Sequence, residues 1–77
     1  MGGCNVDHSH DDVKNKFKSQ SEYLPTEIRE LFSKFLAEEH TQDILNDVFH
    51  LLKKYDLADE QEKQERNRRL ELILRNV

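Results

Sequence analysis

Ile28, Leu31, Phe32, Phe35 and Leu36 fall at i, i+3, i+4, i+7 and i+8. On a helix of 3.6 residues per turn these positions merge into one apolar stripe; on a strand they would scatter over both faces. The stripe predicts a surface helix over residues 24–40 that buries one side. Pro25 suits its first turn, where a missing N–H is no loss. Glu27 near the start and His40 at the end complement the helix macrodipole.

Two further helices follow from the same reading. Thr41 is a natural N-cap, with Asp43 in the first turn and Lys53–Lys54 in the last, so a second helix is expected over 41–55. Its apolar residues Ile44, Leu45, Val48, Phe49, Leu51, Leu52 and Tyr55 make a face too broad for one neighbour, which places it at the centre of the fold. The link from His40 is so short that the first two helices must be antiparallel neighbours or meet at a sharp corner. The stretch "DLAD" breaks the pattern, and Asp56 or Asp59 can cap a third helix over 59–76. This helix has no apolar side chain from Asp59 to Arg69, then gathers Leu70, Leu72, Ile73 and Leu74. Asp59–Lys63, Glu62–Arg66 and Glu65–Arg69 stand in the favoured acid-before-base order at i, i+4, so the polar half is expected to be a solvated face held by local pairs.

The chain has 77 residues, 35% hydrophobic and 36% charged, with two glycines and one proline. A domain this small has little core to stabilise it, and such domains lean on disulfides, a metal, oligomerisation or well-made helix packing. A single cysteine, Cys4, excludes an internal disulfide. The abundance of Glu, Lys, Leu, Gln and Arg, without any alternating β-branched run, completes the fold class. It is all-α: a small three-helix bundle, or helical hairpin plus a third helix, with room for one extra short N-terminal helix. That extra helix would span 10–20, where Ser9 and Asp12 resemble a capping box and Val13 and Phe17 lie one turn apart. Residues 1–9 are expected to be a disordered tail, and 10–77 a single helical domain. The expected core is Ile28, Leu31, Phe32, Phe35, Leu36, Leu45, Val48, Phe49, Leu52, Leu70, Ile73 and Leu74.

The candidate sites are few. Leu70, Ile73, Leu74 and Val77 obey i, i+3, i+4, i+7, while Leu72 points elsewhere. They either complete the core or form an interaction surface for a second copy or a partner helix. The N-terminal "MGGC" invites acylation of Gly2 and Cys4, but Val6 occupies the position where myristoylation wants Ser or Thr. Cys4, Asp7, His8, His10, Asp11 and Asp12 are metal-ligating types without a structural zinc spacing. Asp7, Ser9 and Asp11 imitate a calcium loop, which fails at Asp12 and Lys18. Gln42, Asn46 and His50 could act as the reading edge of a helix-turn-helix, with Asp43 and Asp47 set unfavourably towards the phosphates. Arg66, Arg68, Arg69 and Arg75 form an arginine stripe, interleaved with Glu62, Glu65 and Glu71.

A net charge of −4 disfavours non-specific attachment to nucleic acid or anionic lipid. No apolar stretch is long enough to cross a bilayer and no signal-peptide core follows the start, so a cytoplasmic location is expected. No phosphate loop, nucleophile motif or HExxH is present, and catalysis is not expected. No cofactor is implied. The reading that emerges is a small intracellular helical protein–protein interaction module, a regulator or adaptor that self-associates as a homodimer. The alternative is a nucleic-acid-binding regulator using the arginine stripe, and a third is a metal-responsive tail on a structural domain.

Overall fold

The computed structural model describes residues 7–76. They form four α-helices and two 3-10 turns: α1 (His10–Gln20), a turn at Ser21–Tyr23, α2 (Thr26–Leu36), α3 (Gln42–Leu52), a turn at Tyr55–Leu57, and α4 (Glu60–Arg75). There is no strand among the described residues. The architecture is the expected all-α bundle, with the N-terminal helix present as its fourth member.

Local chemistry fixes the helix starts. At α1 a capping box closes: Ser9 Oγ accepts from the Asp12 N–H at 3.1 Å, and the Asp12 carboxylate accepts from the Ser9 N–H at 3.0 Å. Thr41 Oγ1 accepts from the Ile44 N–H at 3.3 Å to start α3, and Asp59 accepts from the Glu62 N–H at 2.8 Å to start α4. Pro25 stands one position before α2 instead of inside it. Its backbone is extended, and its carbonyl receives the first helical bond from Arg29.

The ends of α2 and α3 come earlier than the pattern of apolar residues suggests. α2 stops at Leu36, and His40 folds back on it: its ring stacks on Phe35 at 3.9 Å between centroids. His40 Nε2 lies 2.7 Å from the Phe35 carbonyl, which only accepts, so the ring proton sits on Nε2. α3 stops at Leu52 because Lys53 turns to an extended backbone, ψ 124°; Lys54 then takes a left-handed conformation, φ 57°, the only positive φ at a non-glycine among the described residues. That reversal sets up the Tyr55–Leu57 turn and aims α4 back along α3.

α1 packs on α3, α2 on α4, and α3 on α4. Consecutive α2 and α3 do not pack lengthwise, which resolves their short link as a corner. Eight of the expected core residues are buried: Ile28, Phe32, Phe35, Leu45, Val48, Leu52, Leu70 and Leu74. Leu31, Leu36, Phe49 and Ile73 are half-buried against that cluster. Three buried apolar residues were outside the expectation: Val13, Leu24 and Tyr55. Val13 and Phe17 carry α1 into the bundle, Phe17 stacking on Phe32 at 4.5 Å. Gln20, also buried, accepts from the Asp56 N–H at 2.8 Å, which staples the end of α1 to the turn before α4.

Of the nine residues expected to form a tail, 1–6 lie outside the described residues. Residues 7–9 run against α3. The His8 N–H donates to Asn46 Oδ1 at 2.9 Å, Gln42 Nε2 donates to the His8 carbonyl at 2.7 Å, and the His8 ring stacks on Phe49 at 3.6 Å.

Candidate protein interface on the α3–α4 face

The polar half of α4 does more than contact solvent, contrary to the expectation for Asp59–Arg69. Continue the phase of the buried Leu70 and Leu74 backwards by three and four residues, and it runs through Asn67, Arg66 and Lys63. All three are half-buried. The Tyr55 hydroxyl donates to Asn67 Oδ1 at 2.6 Å, and Lys63 Nζ lies 5.7 Å above the Tyr55 ring. Lys63 therefore serves Tyr55, and the expected Asp59–Lys63 pair does not form; Asp59 is occupied as the N-cap. Tyr55 is 1% exposed, and its phenol pKa is raised, by burial first. The Asn67 bond pulls it the other way, Glu60 adds to the rise, and Arg66 opposes it.

The sequence indicates that Arg66 pairs with Glu62, but not that it also reaches α3. Its Nε donates to Glu62 at 2.9 Å, as the i, i+4 pattern predicts. Its Nη1 also donates to the carbonyls of Lys53 at 2.7 Å and Leu51 at 3.3 Å. These carbonyls close the C-terminus of α3, where the unsatisfied acceptors and the negative dipole end favour a cation. One guanidinium thus caps α3 and fixes α4 beside it. The available signal was helical phase: Arg66 lies on the flank of the stripe that Leu70 and Leu74 define.

The predicted interaction surface separates into parts. Leu70 is 0% exposed and Leu74 is 5% exposed, so both belong to the core of the chain itself and offer nothing to a partner. Their periodicity marked burial correctly; it carried no information on whose core they fill. Ile73 is half-buried at the α4 edge, and Val77 lies outside the described residues. Leu72, which falls off the stripe, is 59% exposed. With Ile73 and the half-buried Leu51 it forms the apolar floor of an open groove between α3 and α4, flanked by Asp47, His50, Glu62, Glu65, Arg66 and Arg69. Elsewhere on the broad apolar face of α3 and the turn after it, Ile44 is half-buried and Tyr55 buried.

The other sequence candidates are occupied or scattered. The four arginines of the stripe each have a glutamate: Arg66 with Glu62, Arg68 and Arg69 with Glu65, and Arg75 with Glu71. Hydrogen bonds from Arg68 and then Arg69 hold the Glu65 pKa below the ordinary carboxylate value. A phosphate would have to displace these partners. Gln42 and Asn46, two of the three helix-turn-helix candidates, are held by residues 7 and 8, and His50 meets the His8 ring edge-on at 5.5 Å. Among the described residues no three His, Cys, Asp or Glu side chains converge as a metal set, and Cys4 lies outside them. No helix of the described residues is long and apolar enough to cross a membrane. No protein family, curated protein or solved structure matches the chain.

Proposed function

We propose that this chain is a small, non-catalytic helical interaction module that presents the α3–α4 groove to a helix of a protein partner. The observation that carries the proposal is Leu72, 59% exposed beside the half-buried Ile73 and Leu51, in a trough between two antiparallel helices. Such a trough takes one further helix by burying its apolar edge, the helix-in-groove mode of recognition. Covering the exposed part of Leu72 contributes about 1–2 kcal/mol, enough to anchor a weak interface but not a tight one. The charged residues of the groove support binding over catalysis. Glu62, Glu65, Arg66 and Arg69 are committed to one another, and none is isolated in an apolar pocket where its reactivity would change.

The test is affinity capture from the native cell with three baits: the wild type, Leu72→Glu, and Leu57→Glu as a control at an exposed apolar residue away from the groove. All three are expected to fold. A partner retained by the wild type and by Leu57→Glu, and lost with Leu72→Glu, supports the groove. A set of captured proteins that Leu72→Glu leaves unchanged contradicts it.

A further inference from the structure

The charges of α4 change sign at Asn67, acids predominating before it and bases after it. From residue 59 to 65, four acids (Asp59, Glu60, Glu62, Glu65) stand against Lys63, a net −3. From 66 to 75, four arginines (Arg66, Arg68, Arg69, Arg75) stand against Glu71, a net +3. Reflection through position 67 exchanges Asp59 with Arg75, Lys63 with Glu71 and Glu65 with Arg69, each time an acid for a base. The side chain of Asn67 points inward to Tyr55, so the opposite side of the helix faces outward at the same level. On that outward side Glu62, Glu65, Arg69 and Leu72 recur with 3-4-3 spacing, the spacing of a helix–helix seam.

We infer that the occupant of the groove is a second copy of this chain, docked with its α4 antiparallel to the first about a two-fold axis at the level of Asn67. The inference rests on the α3–α4 groove being an interaction surface. In this register Glu65 faces Arg69 of the second copy, and Arg69 faces its Glu65. Because Glu65 and Arg69 are already bonded within each chain at 3.2 Å, the four groups close into one ring of alternating charge. Leu72 faces Glu62 of the second copy and lies along its aliphatic stem. Arg66 reaches the Leu51 carbonyl, so Leu51 of each copy also stands near the level of the axis. An isologous contact of this kind uses one patch twice and closes on itself. Parallel docking would set Glu62, Glu65 and Arg69 each against its own like charge, so the seam selects direction by repulsion as well as attraction. The one like-charged pair in the antiparallel register, Arg66 and Arg68, is relieved because Arg66 turns inward to Glu62 and the α3 carbonyls.

Sedimentation equilibrium over a concentration series tests this. The wild type is expected to approach twice its monomer mass of 9.2 kDa as concentration rises. Glu65→Arg makes the seam wholly basic at its centre and Arg69→Glu makes it wholly acidic; each alone weakens the dimer by about tenfold or more. An equimolar mixture of the two restores association as a heterodimer, and the double variant Glu65→Arg/Arg69→Glu restores the homodimer. Circular dichroism checks the helicity of each, and Glu65→Gln with Arg69→Gln replaces any charge reversal that does not fold, with weakening as the expected result. A wild type that stays monomeric overturns the inference, as does a dimer indifferent to these four variants. A monomeric wild type whose captured partner still depends on Leu72 removes the second copy but leaves the groove; indifference to Leu72 as well removes both.

Discussion

Replacing Arg66 by methionine isolates the guanidinium, since methionine keeps most of the apolar stem. The change removes two hydrogen bonds to the end of α3, from Nη1 to Lys53 O at 2.7 Å and to Leu51 O at 3.3 Å, together with the bond to Glu62. A bond from a charged donor contributes about 1.5–3 kcal/mol net. The Arg66 side chain is 21% exposed, so water replaces part of what is lost, and the longer bond to Leu51 is the weaker of the two. The loss should therefore be about 1.5–2.5 kcal/mol, the worth of one good charged bond. In a domain of this size that lowers Tm by roughly 10 °C. The assay is urea unfolding followed by circular dichroism, with Arg68→Met as the control. Arg68 bonds only Glu65, from a well-exposed position, so its replacement should leave the midpoint within the scatter of the wild type. If Arg66→Met and Arg68→Met unfold at the same urea concentration, Arg66 is an ordinary surface arginine and the clamp between α3 and α4 is refuted.

Three other perturbations probe separate parts of the fold. Leu70→Ala opens a cavity in the core and should cost about 2–5 kcal/mol, whereas Leu72→Ala in the groove should stay within about 0.5 kcal/mol of the wild type by thermal unfolding. Lys54→Gly relieves a left-handed side-chain clash at φ 57° and should stabilise by about 0.5–1 kcal/mol, read as a rise in urea midpoint at constant slope. Tyr55 has a folded pKa above the unfolded value of 10.0, so its neutral form is the one that folding favours. The contribution is complete below pH 10.0 and is lost as pH climbs from there through the folded pKa. Tyr55→Phe should flatten that alkaline decline while costing about 0.5–1.5 kcal/mol at neutral pH through the lost Asn67 bond, measured by melts from pH 7 to 11.

What could be read from the sequence was what is decided within a few residues. Ser9 with Asp12, Thr41 and Asp59 cap their helices because a short oxygen-bearing side chain reaches a free N–H only three residues ahead. The stripe from Ile28 to Leu36 was equally plain, since period alone decides which side is buried. What stayed hidden depends on residues far apart. Nothing near His40 indicates that its ring will leave the helix and stack on Phe35, and Lys54 gives no sign that it will turn left-handed. The polar contacts made by Arg66, Asn67 and Gln20 carry no hydrophobic period, so a reading based on that period took the first two for solvated surface and set no role for the third. The proposed interface fell between these cases. Period identified Leu70 and Leu74 as buried, but burial within the chain and burial against a partner leave the same trace, and Leu72 became visible as a surface only once α3 was beside it.

One face of α4 belongs to the chain's own core, and the other is open to a partner. Amide hydrogen exchange at a dilution where the protein is monomeric tests this most directly. The amides of Leu70 and Leu74 should exchange only through global unfolding, with the same free energy as those of Phe32 and Val48. Rapid exchange along residues 66–75 at low concentration, with protection appearing only as the protein is concentrated, would mean that α4 orders against another chain, and the account would be contradicted.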